Sequence, residues 1–450
     1  MGKLTIEELK NLVECDEIDT VLTVFPDTYG RLLGKRLTAS YFLEQDGLFC
    51  CDYLLSAGME MDPQPGFSMA SWDLGYGDFA YVPDPSTLRR IPWLPKTALV
   101  MCDLCHESGG PVTQAPRSIL RRQCERLAKR GMTAFMASEL EFHLFQESYG
   151  DNRDRGYRHM KPSSPYRIDY HILSTSFDEP LLRAIRNGMS AAGVPVESSK
   201  GECGNGQHEI GLYYADALEM ADRHVIYKNG AKEIAAQKGA CLTFMAKYHS
   251  AEAGSSCHIH SSIFNAESTT SLFWDSDAGK PGDTFRYFLG GLHELCREFF
   301  LLFAPTVNSY KRYCEDSFAP TRLAWSTDNR TTGFRIVGHG PSYRIENRMP
   351  GADANPYLAY AATMAAGLYG IDNRIEPPPE FSGNAYTADH LSRVPSSLAE
   401  AADLIDGSTV ARDVFGDEVV DHYVQCARSE QAAFDKAVTD WERERYFERI

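Results

Sequence analysis

The chain has 450 residues, and its 45 lysines and arginines against 62 aspartates and glutamates give a formal net charge of −17. Its 43% hydrophobic and 24% charged residues are typical of a globular protein and exclude a disordered, collagen-like or small disulfide-rich chain. The acidic excess argues against nucleic acid or an anionic membrane as the main partner, because both are bound through basic surfaces, and weakly favours a cationic small molecule. No apolar run reaches the ~20 residues that span a bilayer, and the N-terminus lacks the apolar core of a signal peptide, so the sequence predicts a cytoplasmic protein.

The first hundred residues predict a small β-rich domain. A helical pattern follows at 117–129, so we predict a boundary near residue 107, which separates a domain of residues 1–107 from one of residues 108–450. Three strand-like runs, separated by glycine and proline turns, lie at 20–25, 80–82 and 98–101.

The 12 cysteines are scattered through the chain, which favours reduced thiols. Cys102 and Cys105 form a Cys-x-x-Cys pair. Because it has no second pair to complete a zinc site and it ends an apolar run, a buried strand end is favoured over a redox or metal role.

Beyond residue 132, strands that carry polar residues alternate with long helices. Residues 149–167 are polar and rich in glycine and arginine, which predicts a mobile loop. Strands first and mixed elements later indicate an α+β protein with an antiparallel sheet. The helical patterns cover residues 215–238, 283–303, 356–370, 397–405 and 418–446, with Asn355 as the cap of the third.

Acidic, imidazole and guanidinium side chains recur on single faces of the predicted strands. Side chains at positions i, i+2 and i+4 of a strand project together. A solvated strand face explains any one such set, but the recurrence indicates that several strands line one cavity. The sets are Glu139 with Glu141, His258 with His260, Arg344 with Glu346 and Arg348, and, around a glycine-containing turn, Glu202 with Glu209.

Like charges packed so closely would repel unless cations lay among them. Glutamate oxygens with one or two imidazoles suit Mg²⁺ or Mn²⁺ better than zinc, which prefers cysteine and histidine. Guanidinium groups match phosphate and carboxylate oxygens, so metals with arginines indicate a nucleotide and an anionic acceptor. No phosphate-binding loop or protein-kinase motif is present, so another fold must hold the nucleotide. The arginines are Arg312, Arg330, Arg335, Arg344 and Arg348.

Together these segments resemble the glutamine synthetase family, in its bacterial class I form. The resemblance implies an N-terminal β-grasp domain and a catalytic domain of antiparallel strands and helices. It also implies a homo-oligomer, a dodecamer of two stacked hexameric rings with active sites between neighbouring subunits. The most specific motifs are Glu139-Leu-Glu141, Gly206-Gln-His-Glu209, Gly254-Ser-Ser-Cys-His258-Ile-His260, Asn308-Ser-Tyr-Lys-Arg312, Arg344-Ile-Glu346-Asn-Arg348 and Asn355-Pro-Tyr-Leu.

The resemblance also implies roles for individual residues. The ligands of one metal ion are matched by Glu141, Glu202 and Glu209, and those of the other by Glu139, His258 and Glu346. Positions around ATP are matched by Tyr214, His260, Ser262, Arg335 and Arg344. The glutamate site is matched by Arg312, Arg348 and Gly254, and the group that stabilises the transferring phosphoryl group by Arg330.

The reaction implied by the resemblance is a two-step ligation of L-glutamate and an amine, with ATP as co-substrate and two or more Mg²⁺ or Mn²⁺ ions in each active site. ATP phosphorylates the γ-carboxylate, because a carboxylate is unreactive toward amines until one oxygen belongs to a phosphate leaving group. Metals and arginines offset the charge of that transfer. An amine then attacks γ-glutamyl phosphate and gives an amide, ADP and phosphate.

Phe318 departs from the family pattern, which has a glutamate at this place to hold and deprotonate ammonium. A phenyl ring cannot accept a proton, but it packs against carbon or offers a π face to a cation. The family's Asp-Gly-Ser-Ser run is also missing, and Asp52 is the nearest candidate for the ammonium-site aspartate. Ala253 replaces the asparagine that precedes the glycine of the substrate loop.

We therefore predict a glutamine synthetase-like γ-glutamyl-amine ligase that uses an organic amine, with Arg330, Asp52 and Phe318 as its catalytic residues. Two alternatives are an ordinary glutamine synthetase, in which another residue replaces the missing glutamate, and a non-catalytic assembly protein of the same fold. The six metal ligands and the arginines argue against the assembly protein, because no structural role requires so many buried like charges.

Overall fold

The computed structural model describes residues 2–450, and its two large sheets with packed helices confirm the α+β prediction. The helices are α1 (Ile6–Glu14), α2 (Ala39–Glu44), α3 (Pro116–Ala128), α4 (Tyr149–Asp154), α5 (Ile172–Ser176), α6 (Glu179–Ala191), α7 (Ala217–Gln237), α8 (Asp283–Leu295), α9 (Pro356–Asn373), α10 (Leu398–Asp406), α11 (Thr409–Phe415), α12 (Asp417–Lys436) and α13 (Asp440–Tyr446). The strands are β1 (Thr20–Pro26), β2 (Leu32–Thr38), β3 (Phe49–Cys51), β4 (Asp78–Pro83), β5 (Arg89–Arg90), β6 (Thr97–His106), β7 (Met132–Phe145), β8 (Val196–Gly201), β9 (Gln207–Leu212), β10 (Ala215–Asp216), β11 (Cys241–Thr243), β12 (Cys257–Asn265), β13 (Trp274–Asp275), β14 (Lys280–Pro281), β15 (Trp325–Thr327), β16 (Phe334–Val337) and β17 (Arg344–Asn347).

The first sheet has the strand order β2-β1-β6-β4-β3, with β5 beside β6. Its strands β1, β4 and β6 confirm the three predicted runs, and its apolar core includes Leu9 of α1 and Phe42 of α2. Cys102 and Cys105 lie at the end of β6, as predicted, and burial raises the pKa of the Cys102 thiol. The domain boundary near residue 107 stays a prediction.

The second sheet has the strand order β15-β16-β17-β12-β7-β9-β8, and β10 and β11 also pair with β7. Its pairs are antiparallel except β15 with β16, which are parallel, so the predicted all-antiparallel sheet is corrected at this edge. One face of β7 carries apolar residues such as Met136 and Leu140 into the main core, which α3, α7 and α9 complete. The opposite face carries the polar residues Glu139, Glu141 and His143.

Helix α9 lies almost wholly in the core, because its sequence is apolar and small on all sides. The side chain of Asn355 caps it by accepting the N–H of Tyr357 at 3.1 Å, as predicted, and Pro356 occupies its first turn. Helix α8 crosses it closely: a Cβ at Gly291 would lie 2.1 Å from the carbonyl oxygen of Ala366, so only glycine fits there. Within residues 2–450, no helix combines the length and apolar character needed to cross a membrane.

Three predicted segments need correction. The helix predicted at 283–303 ends at Leu295, because the apolar run that follows is buried on all sides and no longer has helical periodicity. The helix predicted at 418–446 is broken between α12 and α13, where Thr439 and Glu442 form a capping box that starts a new helix. The predicted loop at 149–167 contains α4, which begins at a similar capping box between Ser148 and Asp151.

Arg117 of α3 is buried and joins the first sheet to helix α7 through ion pairs. Its guanidinium donates to Asp222 of α7 at 3.0 and 3.1 Å. It also donates to Asp103 of β6 at 2.6 Å and to Asp84, directly after β4, at 2.8 Å. The hydroxyl of Tyr357 also donates to Asp222, at 2.6 Å. Because Asp222 is only 1% exposed, water cannot replace it as an acceptor.

Replacing Asp222 with alanine should lower the free energy of unfolding by about 3 kcal/mol or more, because it leaves Nε of the buried Arg117 guanidinium and the buried hydroxyl of Tyr357 without their acceptor. Chemical denaturation of the purified variant measures the loss. The matched control is Asp421→Ala, which removes a partner of Arg412 that is 62% exposed and should cost at most about 1 kcal/mol. Equal losses in the two variants would contradict the stabilising role of the network.

Candidate active site

Neighbouring strands of the second sheet place the acidic and imidazole side chains on one face. Directly opposite residues on paired strands have Cβ atoms ~5 Å apart, so their side chains meet. The register of β7, β9, β12 and β17 therefore pairs Glu139 with His258, Glu141 with Glu209 and His260 with Glu346.

The six predicted metal ligands form two groups. In each group one ligand atom from every residue lies within 4.8 Å of the others. The first group is Glu139, His258 and Glu346, and the second is Glu141, Glu202 and Glu209. Carboxylates with a single imidazole are the donors expected for Mg²⁺ or Mn²⁺.

The carboxylates of the two groups perturb one another. Burial, together with the negative charges of Glu139 and Glu141, raises the pKa of Glu209 to about 8. Burial would also raise the pKa of Glu139, but hydrogen bonds from His258 and His260 outweigh it and hold that pKa below its usual range. Cations among these carboxylates would relieve the repulsion, so the donor set fits divalent metal ions.

Ser256 and Gln207 orient the carboxylate of Glu141. Ser256 donates from its backbone N–H at 2.8 Å and from its hydroxyl at 2.6 Å, and the side-chain amide of Gln207 donates at 3.1 Å. Neither residue was assigned a role from the sequence. Both lie inside motifs that carry the family resemblance and also contain metal ligands. Their position beside those ligands could therefore have predicted a role in orienting them.

Glu346 is also the centre of an arginine cluster. It is 1% exposed and forms ion pairs with Arg348 and, at 2.8 Å, with Arg335. Arg312 lies nearby and donates to the backbone carbonyls of Met349 at 3.0 Å and Arg348 at 3.1 Å. These contacts fix the guanidinium groups before any anion arrives.

A cavity of about 720 Å³ brings both groups and the arginines together. The side chain of Phe318 lines it and is 55% exposed. Gly254 lines it at a point where a Cβ would lie 2.7 Å from Cγ of Arg312, so a larger residue would displace that arginine. Of the predicted site residues, the cavity is lined by Glu139, Glu141, Glu202, Glu209, His258, Glu346, Arg312, Arg330, Arg335, Arg348, Gly254 and Phe318.

Of the other predicted ATP residues, His260 and Ser262 lie on β12, Arg344 begins the neighbouring strand β17, and Tyr214 lies between β9 and β10. Nε2 of His260 donates to Glu139 at 2.8 Å, and its Nδ1 accepts from Nε of Arg344 at 3.1 Å, so these contacts select one tautomer of the ring. Ser262 follows two residues later on the same face of the strand. Tyr214 is 65% exposed. His260 and Ser262 therefore form a polar strip along β12 that continues beyond the two groups of metal ligands.

Asp52 lies away from the cavity of its own chain. It begins a short turn after β3, where its Oδ2 accepts the backbone N–H of Gly77 at 2.8 Å. One chain therefore does not bring Asp52 to the metal ligands, and its role in the amine site stays a prediction.

Lys200, Asp169 and Tyr170 line the cavity but were not assigned a role from the sequence. Lys200 forms an ion pair with Glu202, and its Nζ lies 4.6 Å from the ring centroid of Tyr170. A lysine beside a metal ligand supplies part of the positive charge that the acidic groups need. Asp169 and Tyr170 precede α5, in a region without clear periodicity, so nothing in the sequence placed them here.

Comparison with known proteins agrees with this geometry. Residues 113–446 match the glutamine synthetase catalytic domain. The chain is 53% identical to gamma-glutamylethanolamide synthetase GlnA4 of Streptomyces coelicolor, over 99% of this chain and 96% of that protein. It is 37% identical to glutamate–isopropylamine ligase of a Pseudomonas species, over 100% of this chain and 99% of that protein.

A solved structure of GmaS without ligand superposes with a TM-score of 0.83 at 27% identity, covering 98% of this chain and 100% of that one. The chain belongs to the glutamine synthetase family, whose members are carbon–nitrogen ligases, and the predicted family is confirmed. The family generally uses ATP and divalent metal ions, and the two groups of candidate metal ligands in this chain fit that use.

Proposed function

We propose that the protein is an ATP-dependent ligase that joins the γ-carboxylate of L-glutamate to a small organic amine. The observation that carries the proposal is Phe318, which lines a cavity that keeps both carboxylate groups and the arginines but offers an aromatic ring in place of the family's glutamate. The names of the two relatives, an ethanolamide synthetase and an isopropylamine ligase, support a short-chain amine. Ethanolamine is the first candidate, because that relative shares 53% identity over nearly the whole length of both chains.

Two or more divalent ions, Mg²⁺ or Mn²⁺, would be held by the two groups of ligands. Bound there, they would offset the negative charge of ATP and of the transferring phosphoryl group. Arg312 and Arg348 would bind the carboxylates of glutamate, and Arg330 and Arg335 would bind phosphate oxygens. Because the hydrogen bonds and ion pairs of Arg312, Arg335 and Arg348 already orient these guanidinium groups, little reorganisation is needed there when charge develops.

The amine must lose a proton before it attacks γ-glutamyl phosphate, since an alkylammonium ion has no free electron pair. Phe318 cannot accept that proton. Asp52 would do so if it came from a neighbouring subunit, as the predicted dodecamer of two hexameric rings would allow. A cytoplasmic location stays a prediction from the sequence.

The first test is phosphate release from ATP with glutamate and Mg²⁺, measured with ammonium, ethanolamine, ethylamine, isopropylamine, putrescine and aniline, with product masses checked. We expect ethanolamine or another short amine to exceed ammonium in kcat/KM by at least about tenfold, or ~1.4 kcal/mol. Ammonium as the best substrate would instead identify a glutamine synthetase. Phosphate release that no amine stimulates would contradict the ligase proposal.

A subunit-mixing experiment tests where Asp52 acts. Asp52→Asn and Glu209→Gln should each be nearly inactive alone. If neighbouring subunits share active sites, mixed oligomers formed in equal parts should recover activity at about a quarter of the sites, because those sites take both intact residues. Two differently tagged subunits, purified in tandem, confirm that mixing occurred. Mixed oligomers without recovered activity would contradict the shared site.

A further inference from the structure

A second cavity, of about 480 Å³, lies between the β1–β2 turn and helix α7 and shares no lining residue with the large cavity. We call it the α7 pocket. Its apolar wall includes the buried side chains of Val225 and Phe244 and those of Met59 and Met245, which are 41% and 44% exposed. A concave site of this size, with apolar walls and a few polar groups, is typical of small-molecule binding.

Two lysines of helix α7 line the α7 pocket without an acidic partner. The Nζ atoms of Lys228 and Lys232 lie 5.6 and 5.9 Å from the ring centroid of Phe244, so both ammonium groups stand over one aromatic ring. Lys228 donates to the carbonyl oxygen of Ala352 at 2.8 Å, and neither lysine forms an ion pair within residues 2–450. Because lysines in partly buried places are normally paired, this arrangement leaves positive charge to a ligand.

The positive charges of the α7 pocket disfavour one another. Burial, together with the charge of Lys232, lowers the pKa of Lys228 to about 8. Burial and the charge of Arg31, which also lines the pocket, lower the pKa of Lys232. An anion among these groups would relieve the repulsion, by the same reasoning that favours cations among the carboxylates of the active site.

Two carboxylates also line the α7 pocket, but neither is paired with a lysine. Asp353 accepts the hydroxyl groups of Thr306 at 2.9 Å and Ser309 at 2.5 Å. Burial and the charge of Glu60 raise the pKa of Glu430, which favours its neutral form. The lysines therefore keep their charge available to a bound molecule.

We propose that the α7 pocket binds a small organic anion through Lys228 and Lys232. The two ammonium groups receive its carboxylate or phosphate group, and Phe244 with Met245 covers its apolar part. Binding here goes beyond the proposed function and does not depend on it, because no residue of the active site takes part.

The α7 pocket shares a wall with the active site. Asn308, which lines the pocket, begins the turn that carries Arg312. Lys228 holds the carbonyl of Ala352, three residues beyond the Met349 carbonyl that accepts from Arg312. An anion that draws Lys228 away from Ala352 loosens this support, so it should weaken the binding of glutamate. This effect, unlike the binding itself, rests on the proposed function, which assigns Arg312 to glutamate.

Isothermal titration calorimetry of the whole protein tests the binding, with phenyl phosphate, benzoate and benzyl alcohol as probes that share one aromatic ring. We expect at least one of the two anions to bind saturably, and the alcohol not to bind at the same concentrations. The tighter anion identifies the head group that the pocket prefers.

Lys232→Met keeps the length of the side chain without its charge, and should raise the Kd of the tighter anion at least about tenfold. Lys228→Met should act in the same direction. The matched control is Lys238→Met, which removes a charge at the end of the same helix, outside the pocket, and should leave the Kd unchanged. Absence of anion binding, or equal Kd values in all three variants, would overturn the pocket.

The ligase assay separates this proposal from the proposed function. A saturating concentration of the tighter anion should raise the KM for glutamate at least about fivefold in the parent and in Lys238→Met, but not in Lys232→Met. Anion binding without any amine-dependent phosphate release would overturn the ligase and keep the pocket. Anion binding with an unchanged KM would keep the pocket and overturn its link to Arg312.

Discussion

Replacing Glu346 with glutamine should lower kcat/KM for the ligation by at least about 1000-fold, or ~4 kcal/mol of transition-state stabilisation. Glu346 has two tasks in the structure, as a member of the first metal-ligand group and as the ion-pair partner of Arg335 and Arg348. Glutamine keeps the size of the side chain but removes its charge. The cavity then loses a carboxylate ligand, and two guanidinium groups lose the anion that orients them.

Manganese binding separates this effect from a loss of structure. Electron paramagnetic resonance of the Glu346→Gln protein should show fewer bound or more weakly bound Mn²⁺ ions, while its oligomer size and circular dichroism stay those of the parent. The matched control is Asp328→Asn, which removes the charge of the other carboxylate paired with Arg335 at a position that is 71% exposed. It should cost less than about tenfold. Normal Mn²⁺ binding and activity in Glu346→Gln would contradict the role of the first group.

The carboxylate groups could be predicted from the sequence because strand side chains alternate strictly. Once β7, β12 and β17 were predicted, the period of two put Glu139 with Glu141 and His258 with His260 on one face. That pattern could not predict which residues of neighbouring strands lie opposite each other. The family resemblance put Glu139 and His258 in one ligand group, and the observed pairing of these two residues agrees with that assignment.

The starts of α13 and α4 did have a local signal, because Thr439 with Glu442 and Ser148 with Asp151 form capping boxes, but these segments were predicted as parts of one helix and one loop. Other features depended on contacts that no local pattern records. Lys200 reaches Glu202 across only two positions of the chain, but nothing in its neighbours distinguishes it from a solvated lysine.

Replacing Phe318 with glutamate should shift substrate preference toward ammonium. The ratio of kcat/KM for ammonium to that for the preferred organic amine should rise at least about tenfold, or ~1.4 kcal/mol. The new carboxylate can hold an ammonium ion and accept its proton, whereas the phenyl ring it replaces can only pack against carbon. Rates with both amines at saturating ATP and glutamate give the ratio.

The backbone at this position allows a clean comparison. Phe318 has a φ of 59°, a left-handed conformation that is strained for any residue with a Cβ, so glutamate there is as strained as phenylalanine. Its carbonyl oxygen accepts from Nη2 of Arg348 at 3.3 Å, a contact that does not depend on the side chain. Phe318→Leu is the matched control: it keeps an apolar group without a proton acceptor, and should leave the preference for the organic amine. A shift toward ammonium in both variants would show that lost packing, and not the new carboxylate, sets the specificity. A shift in neither would place amine selection at other residues than Phe318.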